Sequence, residues 1–122
     1  MIIPKSAWTY FAVLTMAMVI PACGDHKKPE LTQAQIDFNM IYLGKEGVTK
    51  RMKDPGSTEF RNVFVSRSSG SAAVCGEVNS KNSFGGYVGF QRFISAGESA
   101  SFLETDMKRG EMDKSWQQFC GN

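Results

Sequence analysis

Ala73-Val74-Cys75-Gly76-Glu77-Val78-Asn79 alternates Val74, Gly76 and Val78 with Cys75, Glu77 and Asn79. A period of two places the first three on one face of a β-strand and the other three on the opposite face. Directly after it, Asn79-Ser80-Lys81-Asn82-Ser83-Phe84-Gly85-Gly86 is dense in turn-forming residues, and residues 87–95 resume an apolar, aromatic run that reads as a second strand. Ala96-Gly97-Glu98 makes another turn, and residues 100–104 a third short strand. Upstream, residues 60–67 are rich in aromatic and branched side chains and are separated from Ala73 by the loop Ser68-Ser69-Gly70-Ser71. Strands joined by short turns pair most economically as an antiparallel meander of three to four strands.

Helical patterns flank the meander. Thr32-Gln33-Ala34-Gln35 fits a capping box, with Thr32 as N-cap, Gln35 reaching back, and Leu31 and Ile36 spaced as a hydrophobic staple. From there Ala34, Phe38, Ile41, Val48 and Met52 recur at helical spacing and predict one apolar face, at a cost of about 1 kcal/mol each for Gly44 and Gly47 relative to alanine. The helix must stop near Lys53, because Asp54 precedes Pro55, and Asp54-Pro55-Gly56-Ser57 is a turn. Met112, Trp116, Phe119 and Cys120 share one face of a short terminal helix. The expected class is α+β, with an N-terminal helix, a small antiparallel sheet and a short C-terminal helix, in a single domain over residues 31–122. No internal repeat interrupts it.

The first 22 residues have a different character. Lys5 precedes residues 7–20 (AWTYFAVLTMAMVI), an uncharged run of signal-peptide length and too short to span a bilayer as a helix. It ends in Ile20-Pro21-Ala22-Cys23, which resembles a bacterial lipobox, with cleavage before Cys23 and lipid, including an acyl chain such as palmitate, on that cysteine. Pro21 departs from the usual small residue. Gly24 after the cysteine favours the outer membrane by the same resemblance, with Asp25 leaving the inner membrane open, and residues 23–30 read as a polar tether carrying His26, the chain's one histidine. With Cys23 lipidated, Cys75 and Cys120 remain as an even pair in an oxidising compartment, and a disulfide between them ties the last helix to the sheet. The alternative, a redox or nucleophilic Cys75, lacks a CxxC partner and a histidine in the domain.

Composition narrows the chemistry. Of 14 Lys and Arg, Lys5 leaves with the signal, so 13 stand against 12 Asp and Glu, a net charge of +1 that argues against a nucleic-acid partner. Triads of the Ser-His or Cys-His kind need an imidazole in the domain, zinc needs more Cys or His ligands, and Glu104, Asp106, Glu111 and Asp113 lack the spacing of a calcium loop, so they read as a solvated acidic rim. No cofactor or metal is expected, and no catalytic residue is assigned. Gly85-Gly86 leads into a strand and lacks GKS or GKT, so it is not a phosphate loop. Arg61, Arg67 and Arg92 could gather into a cationic patch if their strands pair, though solvated strand faces commonly carry such charges.

The segments Lys53-Asp54-Pro55-Gly56-Ser57-Thr58-Glu59-Phe60, residues 75–90 and residues 116–120 together resemble a family of small exported proteins of bacteria and their phages. Its members combine a DPxSxxF turn, a CGxVNxxNxxGGYxGFxxF core and a terminal cysteine, and the likeness covers residues 53–120. It implies a fold and a compartment and no catalytic role. Read from the residues, Asn79, Asn82, Gly85 and Gly86 supply turn chemistry, whereas Lys81, Asn82, Ser83, Phe84 and Tyr87 offer a mixture suited to binding a sugar or protein surface. The expected function is a lipid-anchored, non-enzymatic envelope protein facing the periplasm, a binding module for an envelope protein or glycan through the 79–87 loop. The alternative is an inhibitor or immunity-type lipoprotein acting against a cell-wall-degrading enzyme or toxin. A small hydrolase working through a carboxylate such as Glu77 has the least support.

Overall fold

The computed structural model describes residue 24 and residues 27–121. The signal segment over residues 1–22, the lipidation expected at Cys23, and His26 lie outside the described residues. Residues 27–30 of the tether are exposed coil.

Helix α1 runs Gln33–Thr49, and its start is the expected capping box. The Gln35 amide donates to Thr32 Oγ1 at 3.3 Å, while the Thr32 amide donates to Gln35 Oε1 at 2.8 Å. Two of the amides that begin the helix without an intrahelical acceptor are thereby satisfied. The helix ends earlier than expected, at Thr49 instead of near Lys53, because the Arg51 and Met52 amides turn back to Val48 and Thr49 in tighter three-residue bonds. Residues Pro55–Ser57 form a single 3₁₀ turn that leads into the sheet.

Strands β1 (Glu59–Ser66), β2 (Ala73–Asn79), β3 (Gln91–Ser95) and β4 (Ser101–Leu103) form one antiparallel sheet in sequence order. A second helix, α2 (Glu111–Phe119), follows. The sheet is therefore the expected meander. β3 begins at Gln91, four residues later than the run from Tyr87 suggests. Gly89 adopts φ +101°, and its amide donates to Asn79 Oδ1 at 3.0 Å, which leaves the ladder. Only a lone bridge between Lys81 and Tyr87 continues the pairing beyond it.

Both faces of the sheet are covered, so the alternation along β2 separates two cores. Val74 and Val78 pack with Val48, Met52, Phe93 and Leu103 beneath α1. Cys75 packs with Ala73, Ile94, Met112 and Cys120 beneath α2. The Cys75–Cys120 disulfide joins the central strand to the end of α2, as expected.

The apolar face expected of α1 meets the sheet only in its later part, through Ile41, Val48 and, just past the helix, Met52. Ala34 and Phe38 point to solvent, with Phe38 70% exposed, and the buried residues of the helix are Gly44, Gly47 and Val48. A Cβ on Gly47 would stand 2.4 Å from the carbonyl oxygen of Glu98, and one on Gly44 3.1 Å from Val74 Cβ. The two glycines thus form a notch that lets the helix backbone sit directly on the sheet and its β3–β4 turn. Ion pairs from Arg67 to Asp37, Lys50 to Glu98 and Arg51 to Asp106 fasten the helix at both ends.

Between Arg61 and Phe64 the β1–β2 register slips, so Asn62 and Val63 face Gly76 alone. Asn62 takes φ +53°, the left-handed conformation such a bulge requires. Gly76 accommodates it: a Cβ there would lie 2.9 Å from Val63 Cγ2 and 3.0 Å from Phe93 Cε1. Phe93 fills the space above the glycine, fully buried and edge-on to Phe60 at 5.7 Å.

Candidate functional site

The 79–87 loop is held by its own asparagines. Asn82 Oδ1 accepts the Phe84 amide at 2.9 Å and the Gly86 amide at 3.2 Å. The Asn82 amide donates to the Gly86 carbonyl at 2.9 Å, and Gly85, at φ +79°, donates to the Asn82 carbonyl at 3.1 Å. This closes a tight turn around one side chain, the turn chemistry that asparagine and glycine supply. Asn82 is consequently a structural residue of the loop, and its side-chain oxygen is committed inward.

A second anchor joins two segments distant in sequence. The Lys81 amide donates to Ser57 Oγ at 2.8 Å, so the Asp54-Pro55-Gly56-Ser57 turn buttresses the base of the loop. Glu59 pairs with Asn79 in the β1–β2 register directly above it. The two motifs that stand apart in the chain are therefore neighbours in space.

From this braced base the tip projects outward. Phe84 is 96% exposed, Val88 61% and Tyr87 48%, and Ser83 is exposed beside them. Lys81 Nζ lies 5.5 Å above the Tyr87 ring, a cation–π contact that orients both side chains. Of the five residues expected to bind, the structure thus groups Lys81 with Tyr87, leaves Ser83 and Phe84 at the tip, and turns Asn82 inward. Sequence reasoning missed Val88, whose exposure follows from the chain leaving the ladder before Gln91.

Beside the loop lies an open hollow of about 330 Å³ lined by Lys53, Lys81, Asn82, Val88, Gln91 and the Arg51–Asp106 pair. Met52, Leu103, Ser80 and Thr105 complete its lining, which thus combines amides, hydroxyls, charged groups and three apolar side chains, groups that suit a polyhydroxyl or protein surface. A second hollow, about 240 Å³, opens beneath α2 and is lined by Ile94, Ala96, Phe102, Met107 and Phe119, with Ser115 on the helix side. No lining side chain of this second hollow carries a charge.

The face of the sheet under α2 carries a charge row instead of a cationic patch. Arg61, Glu77 and Arg92 stand opposite one another across β1, β2 and β3. Glu77 accepts two bonds from Arg61 at 3.0 Å and one from Asn62 at 3.0 Å. Arg92 donates to Glu104 and to Asp113, each at 2.7 Å, and its guanidinium faces the Trp116 ring. Arg61 lies 3.9 Å from the Phe90 ring centre, and Arg67 pairs with Asp37. Each of the three arginines has a carboxylate partner. The acidic residues expected as a solvated rim do lie at the surface, and each has a partner there: Glu104 and Asp113 hold Arg92, Asp106 holds Arg51, and Glu111 accepts the Lys108 amide at 3.0 Å at the start of α2.

These pairings set the titration of the domain. The Arg61 guanidinium, helped by Asn62, holds the Glu77 carboxyl below its ordinary value, and Arg92 does the same to Glu104. Arg67 and Gln33 lower Asp37, and Lys50 lowers Glu98. A carboxyl whose folded value is depressed contributes stability above its unfolded value and loses it as pH falls through the folded one. The thermal midpoint at low salt is therefore expected to be flat from neutrality to about pH 5 and to fall below the ordinary carboxyl value of 4.5. A midpoint measured by circular dichroism that stays flat to pH 2 would show that these pairs contribute nothing.

Among the described residues no helix is long and apolar enough to cross a membrane, and no three metal-ligating side chains come together. No family model, curated protein or solved structure matches the chain.

Proposed function

We propose that the protein is a lipid-anchored, non-enzymatic envelope protein facing the periplasm, held on the outer membrane through Cys23, whose 79–87 loop binds an envelope protein or glycan. The observation that carries this reading is the loop itself: a nearly fully exposed Phe84 stands on a turn whose backbone is tied by Asn82, Ser57 and the Lys81–Tyr87 bridge. Exposed aromatic side chains are costly to leave in water and effective in a binding interface. A loop ordered before binding loses little entropy when it meets its partner. The Cys75–Cys120 disulfide supports export to an oxidising compartment, and the resemblance over residues 53–120 to small exported proteins points the same way. Glu77, the carboxylate weighed for hydrolysis, bridges Arg61 and Asn62 and is held ionised, a poor state for a general acid.

A second reading follows from the shape of the same loop. A protruding aromatic tip on a rigid base suits insertion into the cleft of a cell-wall-degrading enzyme or toxin, as an inhibitor or immunity-type lipoprotein would require.

The test is a cross-linked pull-down from the native envelope and a sedimentation assay on purified cell wall, comparing the wild type with a Phe84→Ala, Val88→Ser double variant. Both side chains are exposed, so the variant should melt with the wild type. Loss of a cross-linked partner, or of wall binding, places function on the loop. Identical partners and wall binding in both proteins would remove the loop from the function. Protection of the wall from a lytic enzyme by the wild type, and not by the variant, selects the inhibitor reading.

A further inference from the structure

Helix α1 carries a second apolar surface that the sheet does not use. Because the helix docks through Gly44, Gly47 and Val48, Phe38 and Tyr42 on the helix and Leu31 just before its cap are left outward at 70, 58 and 57% exposure. With Ala34 these residues follow the spacing of one helix face. Leu31, Ala34 and Phe38 line one shallow hollow there. Gln35 and Asn39 border the same hollow, and Ile36 and Leu43 add further exposed apolar surface on the helix at 37 and 44%.

We infer that this stripe lies on the bilayer, seating α1 in the headgroup region and fixing the orientation of the domain. The inference rests on the lipid-anchored reading, which places the membrane at Cys23. Leu31 follows Cys23 by eight residues, so even a fully extended tether keeps it within about 28 Å of the anchored cysteine. At such a range the stripe meets lipid at high effective concentration, and a weak interfacial affinity suffices to hold it there. Lys27 and Lys28, both exposed in the tether, fall between anchor and helix, where anionic headgroups would face them.

The geometry has a testable signature. In the full chain, purified after processing, Cys75 and Cys120 are bonded to each other and Cys23 carries lipid, so an introduced cysteine is the single free thiol. A fluorophore placed by Phe38→Cys or Tyr42→Cys, in vesicles of phosphatidylethanolamine and phosphatidylglycerol containing a headgroup nitroxide lipid, is expected to be quenched severalfold more than one placed by Phe84→Cys. Melting curves of the three variants confirm that each is folded. The mass of the mature chain reads the anchor separately. Equal quenching at the three positions in a lipidated chain overturns the inference and leaves the anchor intact. A chain whose mass shows no lipid on Cys23 overturns the anchored reading, and with it the inference.

Discussion

Replacing Cys120 with serine is expected to destabilise the domain by about 4 kcal/mol, the chain-entropy cost of reopening a loop of about 46 residues. The loss exceeds that of an ordinary side-chain deletion because the disulfide is also part of the packing. Cys75 is fully buried and Cys120 nearly so, among Ala73, Ile94 and Met112. Helix α2 has nine residues, too few to persist in water by itself, so its place on the sheet depends on this link and on Met112 and Trp116. Thermal melting of wild type and Cys120→Ser, each with and without reductant, checks the effect. The wild type should fall to the variant's midpoint under reduction, and the variant should not respond. Equal midpoints for oxidised wild type and variant would sink the prediction.

Phe93→Ala is expected to cost about 3–5 kcal/mol, the range for deleting a large buried aromatic side chain. The upper part of the range applies here because the site cannot collapse. Phe93 sits on a central strand hydrogen-bonded on both sides, and its ring fills the space left open over Gly76. Neighbouring Val63 is held by the bulge and cannot swing in without breaking the register. Phe93→Leu, which keeps most of the volume, should cost less than about 1.5 kcal/mol. Urea unfolding of the three proteins gives the comparison. An alanine variant losing no more than the leucine one would mean that Val63 and Phe60 close the cavity. Against a typical stability of 5–15 kcal/mol, either large loss leaves this small domain near its unfolding limit.

How far the fold was legible in the sequence depended on what each signal measured. The β2 alternation and the Thr32 capping box are local, and both appear as read. The apolar face of α1 holds in part: Ile41, Val48 and Met52 pack on the sheet, whereas Ala34 and Phe38 do not, because periodicity counts side chains and the closest approach of this helix is made by two residues that have none. Gly44 and Gly47 register as costs in a propensity scale and as contacts in the structure, where backbone meets backbone. The charge row was hidden for a different reason. Whether Glu77 meets Arg61 and Arg92, or Arg92 meets Asp113, depends on strand register and on where α2 lies, and neither is encoded locally. At the candidate site the loop residues were visible as turn chemistry, and the Lys81–Tyr87 pairing needed only a hairpin. The adjoining hollow draws Lys53, Val88 with Gln91, and Asp106 from three separate segments and exists only after the chain has folded.

The way the 79–87 loop is tied divides its residues into two populations. Its conformation is held by backbone groups and by the inward-facing oxygens of Asn79, Asn82 and Ser57. The side chains of Ser83, Phe84 and Val88 are exposed and accept none of these bonds. The frame and its display are thus separable: residues at the tip can be exchanged without rebuilding the turn that carries them. Such a loop can change what it recognises while the protein keeps its shape, and it offers three exposed positions at which new specificities could be written onto an unchanged scaffold.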